Sequence, residues 1–110
     1  MMKRVDEDFK NKVFEMVALI PKGRVMTYGQ LAALAGAPWA AWEVGQIAHF
    51  GPSDLPWQRV VNKQGGLAKG YTPGGQEAHK RDLEEDGVKV TTDYRVDVGS
   101  LLWWPPGTKT

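Results

Sequence analysis

Thr27-Tyr28-Gly29-Gln30-Leu31-Ala32-Ala33-Leu34-Ala35-Gly36-Ala37-Pro38-Trp39-Ala40-Ala41-Trp42-Glu43-Val44-Gly45 is the stretch on which the fold turns. Thr27 suits a helix N-cap, because its hydroxyl can accept from an amide two or three residues on. Leu31 and Leu34 then share a face, and Gly36 supplies the left-handed residue that closes a helix. After the turn Gly36-Ala37-Pro38 a second helix is expected from Trp39 to Phe50, burying Val44 and Ile47. Ala40, Ala41 and Gly45 keep the outer face of that helix low. Two short helices around a glycine-containing turn fit a helix-turn-helix, in which the second helix grips a groove of DNA. Small helical hairpins without DNA affinity share the pattern, so a sequence-reading regulator and a protein-interaction module stay open at this point.

Upstream, residues 6–20 place Phe9, Val13, Met16, Val17 and Ile20 at helical spacing with acids in the first turn. Pro21-Lys22-Gly23 ends that helix. Downstream, Leu55-Pro56-Trp57-Gln58-Arg59-Val60-Val61-Asn62 reads as a turn and a short β segment, followed by a glycine-rich loop over 63–75. A last helix over 76–86 should stop at Gly87, and residues 88–90 and 94–98 look able to pair as a hairpin. Leu101-Leu102-Trp103-Trp104-Pro105-Pro106 is an apolar segment that must pack down or bind something. The fold class expected is mainly α with small β elements, a winged-helix-like single domain over 1–110 that contains the helix-turn-helix.

A chain of 110 residues, 42% hydrophobic, is long enough for one continuous core. No apolar run reaches the roughly 18 residues of a membrane span, and residues 1–8 lack the pattern of a signal peptide. A cytoplasmic protein without membrane contact, nucleoid-associated in a bacterium, is the expectation. The absence of cysteine excludes disulfides and any thiol nucleophile, and two distant histidines do not make a zinc cluster, so neither cofactor nor metal is expected. The net charge of +1 hides an uneven spread. Residues 16–76 carry five bases (Lys22, Arg24, Arg59, Lys63, Lys69) against two acids (Glu43, Asp54), which suggests a face toward a polyanion.

Pro56-Trp57-Gln58-Arg59-Val60-Val61 resembles the Pro-Cys-His-Arg-Val-Val motif of the O6-alkylguanine-DNA alkyltransferases, with tryptophan in place of the acceptor cysteine. That replacement is the mark of the alkyltransferase-like proteins. Residues 25–36 are similar to the family's first helix-turn-helix segment, Ala40-Ala41-Trp42-Glu43-Val44-Gly45 to its recognition helix, and Glu85-Asp86-Gly87 to its closing segment. The likeness runs in the same order over residues 9–97.

The resemblance implies a protein that binds double-stranded DNA containing alkylated guanine, flips the damaged base into a pocket and leaves the alkyl group in place. It also implies a monomer that presents the lesion to nucleotide excision repair proteins. The family's enzymes attack with a thiolate whose proton is relayed through water by a histidine and a glutamate. Here Trp57 carries only an indole N–H donor, Gln58 replaces the histidine, and Asp86 stands for the glutamate. No residue is assigned a catalytic role. The lesion pocket is expected from Tyr28, Trp57, Val60, Tyr71 and Thr72, and the DNA contact from Thr27, Tyr28, Gln30, Ala40, Ala41, Trp42 and Gly45. Pro56, Gln58, Arg59 and Asp86 should support the pocket, Arg59 through internal hydrogen bonds. The glycines at 65, 70, 74 and 75 suggest a loop that comes close to the flipped nucleoside.

Two departures stand out. The family's recognition helix carries an arginine that fills the gap left by the flipped nucleotide, and this chain has Trp42 there. Trp42 can act as an aromatic wedge between base steps or pack with Trp39. The segment between Gly45 and Pro56 is also shorter than in the enzymes and has no asparagine at its hinge.

Overall fold

The computed structural model describes residues 5–108. Helix α1 (Glu7–Leu19) starts at Asp6, whose carboxylate accepts from the Phe9 amide at 3.0 Å. It buries Phe9, Val13 and Val17 on one face. Strand β1 (Met26–Thr27) runs directly into α2 (Tyr28–Leu34). A capping box makes that junction: Thr27 Oγ1 accepts from the Gln30 amide at 3.0 Å, and Gln30 Oε1 accepts from the Thr27 amide at 3.1 Å. Gly36, at φ +101°, closes α2.

Helix α3 (Ala41–Phe50) begins two residues later than the sequence pattern suggests. Pro38 and Trp39 are spent on a turn that the Ala40 amide closes onto the Ala37 carbonyl at 2.9 Å, and Ala40 has no side chain to cap the helix it precedes. Beyond it lie a 3-10 turn (Trp57–Arg59), β2 (Val60–Val61), α4 (Gly75–Glu85) and the short α5 (Val98–Leu101). The architecture is mainly helical with small β elements, a winged-helix-like fold around the α2–α3 helix-turn-helix.

Strands β1 and β2 pair in parallel, Met26 opposite Val60 and Thr27 opposite Val61. Alternate strand residues point to opposite faces, so this ribbon separates two clusters of buried side chains. Met26 and Val60 face the cluster built by α1, α2 and α3. Val25 and Val61 face the other, with Leu67, Leu83, Val88 and Val96.

Residues 88–90 do not pair with 94–98. Instead the Leu67 amide donates to the Tyr94 carbonyl at 3.0 Å and the Val96 amide to the Gly65 carbonyl at 2.9 Å, around an antiparallel bridge between Gly66 and Arg95. Gly65 makes this partnership possible. It sits at φ +85°, and a Cβ there would lie 2.2 Å from the Val96 carbonyl oxygen.

The apolar segment at 101–106 packs down. Leu102 bridges to Val25 in parallel, the Val25 amide donates to Leu101 O at 3.0 Å and the Trp103 amide to Val25 O at 2.8 Å. Arg24 donates to the carbonyls of Leu101 and Leu102 at 3.0 and 2.6 Å, and Gln30 Nε2 to that of Trp103 at 2.6 Å. The segment therefore has a structural role, tying residues 101–103 to Val25 at the edge of β1 and to the start of α2. Among the described residues no helix is long and apolar enough to cross a membrane, and no cluster of acidic, histidine or cysteine side chains could hold a metal ion.

Candidate nucleic-acid interface

A cleft of about 780 Å³ separates α3 from the glycine-rich loop, a size in the range of small-molecule sites. Ala41, Trp42, Gly45 and His49 line it from α3, Tyr28 from the start of α2, and Trp57 from the 3-10 turn. Gly70, Tyr71 and Thr72 line it from the loop, with Arg81 and Asp82 from α4.

Trp57 is held from behind. Its indole N–H donates to the Pro52 carbonyl at 2.8 Å, and its ring meets Phe14 edge-on with centroids 6.1 Å apart. A Cβ on Gly51 would lie 3.0 Å from the Trp57 ring and 2.7 Å from Ile47 O, so the chain crosses under the indole only because residue 51 has no side chain. The one polar atom of Trp57 is thereby occupied, and what remains for the cleft is aromatic surface. Tyr28 sits close by at the first position of α2. Burial pushes its phenol above the usual range, and its hydroxyl has no hydrogen-bond partner among the described residues.

The opposite wall is a stacked pair. Tyr71 lies parallel to His79, with centroids 4.5 Å apart and 12° between planes, and its hydroxyl donates to Asp82 at 2.5 Å. Burial, then this bond to a carboxylate, pushes the Tyr71 phenol far up, so it stays a neutral donor. His49 Nδ1–H donates to the Gly70 carbonyl at 3.0 Å and bridges α3 to the loop at the cleft edge.

Under the 3-10 turn, Arg59 grips Asp86 with two bonds of 2.8 and 3.1 Å and donates a third to the Ile20 carbonyl at 2.8 Å. Gln58 Nε2 adds a bond to Asp86 at 3.3 Å, and the Arg59 amide reaches the Pro56 carbonyl at 3.0 Å. Burial alone would raise the Asp86 carboxyl; the Arg59 hydrogen bonds and charge outweigh it and hold the group below its ordinary value of 3.8. One buried fork therefore ties α1, the turn carrying Trp57 and the end of α4 together.

Of the lesion-pocket set, Tyr28, Trp57, Tyr71 and Thr72 meet in one cleft. Val60 does not: it is fully buried opposite Met26, on the face of the ribbon that points into the core. Of the DNA-contact set, Tyr28, Ala41, Trp42 and Gly45 line the cleft. Gln30 is 7% exposed, with its amide spent on the capping box and the Trp103 carbonyl, and Ala40 is fully buried. The Thr27 hydroxyl is committed to the cap. Pro56, Gln58, Arg59 and Asp86 lie around the turn behind the cleft.

Trp42 is 71% exposed at the first turn of α3 and Trp39 53% exposed, so neither ring is packed into the core. Of the five central bases, Arg59 is consumed in the pair with Asp86, and Arg24, though exposed, is tied to the Leu101 and Leu102 carbonyls, while Lys22, Lys63 and Lys69 face solvent. Of the loop glycines at 65, 70, 74 and 75, Gly70 alone lines the cleft. Gly65 serves the contact with Val96, and Gly74, at φ +102°, precedes α4. His49, His79 and Asp82 were not singled out by sequence, since their roles depend on partners across the fold.

The family model for the DNA-binding domain of the 6-O-methylguanine DNA methyltransferases matches residues 8–88. The chain belongs to this family. Within it the chain is an alkyltransferase-like protein, having no cysteine to accept an alkyl group. Alkyltransferase-like protein 1 of Schizosaccharomyces pombe is 37% identical over 93% of this chain and 99% of its own length. The DNA base-flipping protein of Escherichia coli is 37% identical over 89% of this chain and 76% of its own. Among solved structures, the S. pombe alkyltransferase-like protein in complex with damaged DNA containing O6-carboxymethylguanine superposes with a TM-score of 0.82 at 35% identity, over 94% of this chain and 100% of that one. The Mycobacterium tuberculosis O6-methylguanine methyltransferase superposes at 0.64 with 30% identity, over 80% of this chain and 53% of that one.

Proposed function

We propose that this alkyltransferase-like protein binds double-stranded DNA along the minor groove through α2 and α3 and draws an O6-alkylated guanine into the cleft, where it is held without alkyl transfer. The observation that carries the reading is the Trp57 indole, tethered by its N–H to Pro52 and offering the cleft an aromatic surface with no nucleophile. An alkylated Watson–Crick edge pairs weakly, so extruding that base costs less than extruding an intact one. Trp57 and Tyr71 then stand on opposite walls for it, and the free Tyr28 hydroxyl is placed to bond it.

Trp42, exposed at the mouth of the cleft, enters the duplex as an aromatic wedge in place of the departing nucleotide. By the same reading the protein works as a monomer in the cytoplasm, on the nucleoid if its host is a bacterium, and hands the held lesion to nucleotide excision repair.

The test compares two duplexes that differ by one O6-methyl group, with tryptophan fluorescence as the binding signal and the methyl content of the DNA followed over time. Tighter binding of the methylated duplex with the methyl retained is expected. Equal affinities would remove lesion recognition, and loss of the methyl would remove the binding-only mechanism.

A further inference from the structure

We propose that His79 is the positioning residue of the cleft, a neutral imidazole inside α4 that sets the spacing between the Trp57 turn and the Tyr71 loop. This rests on the lesion-binding reading above and adds to it a residue that touches no DNA.

His79 is fully exclusive of solvent, and a buried polar ring needs partners for both nitrogens. It has them. Nδ1 accepts from the Ala68 amide at 3.0 Å, so the proton sits on Nε2, which donates to the Gln58 carbonyl at 2.9 Å. Gln58 directly follows Trp57, and Ala68 lies three residues before Tyr71, on which the imidazole also stacks. One ring therefore reaches both aromatic walls of the cleft from behind.

Only the neutral Nε2–H tautomer can make this set of contacts. An imidazolium has two N–H donors and no acceptor, so protonation would aim Nδ1–H at the Ala68 N–H and release the loop. The charged and titratable groups around the ring are few. Asp82, one turn further along α4, is bonded to the Tyr71 hydroxyl and paired with Arg81 at 3.5 Å. From the loop comes Tyr71 itself, and from the 3-10 turn the Gln58 carbonyl, whose side chain leads to the Arg59–Asp86 pair. His49 lies on α3 and bonds the loop at Gly70. Burial depresses the His79 pKa from its ordinary 6.5, against the Gln58 carbonyl and Asp82, which both favour the cation. The tie is therefore complete at neutral pH and lost on acidification below 6.5, as pH falls through the depressed folded-state value.

His79→Gln tests this, because a glutamine amide offers an acceptor and a donor but does not titrate. In the free protein, the Ala68 amide and Trp57 indole resonances are followed from pH 8 to 5 for wild type and His79→Gln. Binding of the O6-methylguanine duplex and its undamaged twin is measured at both ends of that range. Wild type should show the two resonances moving with one midpoint, and its preference for the lesion falling about three- to tenfold, the size of one lost hydrogen bond. His79→Gln should be flat in both respects. The inference is overturned if the resonances stay still in wild type or if His79→Gln titrates as wild type does. Equal affinity for both duplexes at every pH, with the resonances still moving together, would instead overturn the lesion reading and with it the functional half of this proposal.

Discussion

Two tryptophan pairs of this chain meet opposite fates. Trp103 and Trp104 are half-buried in a segment that Val25, Arg24 and Gln30 bind through its backbone carbonyls and amides. Trp39 and Trp42, at the entrance to the recognition helix, are 53% and 71% exposed, and the turn between them is held by a single backbone bond to Ala37. Hydrophobicity does not separate the pairs, since all four side chains are the same. What separates them is whether the surrounding backbone has partners elsewhere in the fold. Exposed aromatics on an otherwise satisfied scaffold are free for a ligand, whereas anchored ones belong to the core.

The comparison can be broken on its anchored side first. Arg59→Met should leave the Asp86 carboxylate, 8% exposed, without its partner and lower unfolding stability by about 3 kcal/mol in urea at pH 7. The depressed Asp86 pKa gives the effect a sign with pH. Wild-type stability from this pair is present above the ordinary carboxyl value of 3.8 and is lost as pH falls through the lower folded-state value, so the gap between variant and wild type should shrink in acid. Next in size, Gln30→Leu removes half of the capping box and the bond to the Trp103 carbonyl. A loss of about 2 kcal/mol is expected by thermal denaturation, with lesion preference kept in the fraction that remains folded.

The side chains that face the cleft should respond in binding more than in stability, the tethered Trp57 first and the unanchored Trp42 after it. Trp57→Ala should cut the preference for an O6-methylguanine duplex about tenfold, within the range of one base–aromatic contact, while affinity for plain DNA falls less. Parallel loss on both duplexes would assign Trp57 to folding alone, through Phe14 and Pro52. Trp42→Ala should leave stability within about 0.5 kcal/mol and weaken the lesion complex by about 1 kcal/mol, as read by fluorescence titration. The smallest effect is electrostatic: Trp42→Arg should steepen the slope of log K against log salt by about 0.9, one more phosphate neutralised.

How far the sequence shows this comparison depends on the range of the interactions. The Thr27 cap, the Gly36 and Gly87 stops and the burial of Phe9, Val13 and Val17 follow from neighbours within a turn or two, and the helices were legible accordingly. The motif at residues 56–61 points to Trp57, and that side chain lines the cleft. Val60 was misassigned because a two-residue strand gives no alternation long enough to say which face is inward. Gln30, expected at the DNA contact, instead donates to the Trp103 carbonyl, 73 residues away, a partner no local pattern reveals. The hairpin expected at 88–98 failed for the same reason, since Gly65 gives residues 94–96 a nearer backbone partner than residues 88–90 can be. His79 carried no signal at all, because its importance lies in two backbone groups from separate loops.

The bridge between Val25 and Leu102 has a consequence for how the protein is made. During synthesis the capping box of α2 can form from neighbouring residues, yet Arg24 and the Gln30 amide nitrogen exchange water for their carbonyl partners only when residues 101–103 emerge. A chain stalled before that point would carry the start of α2 without the bonds that tie it to residues 101–103.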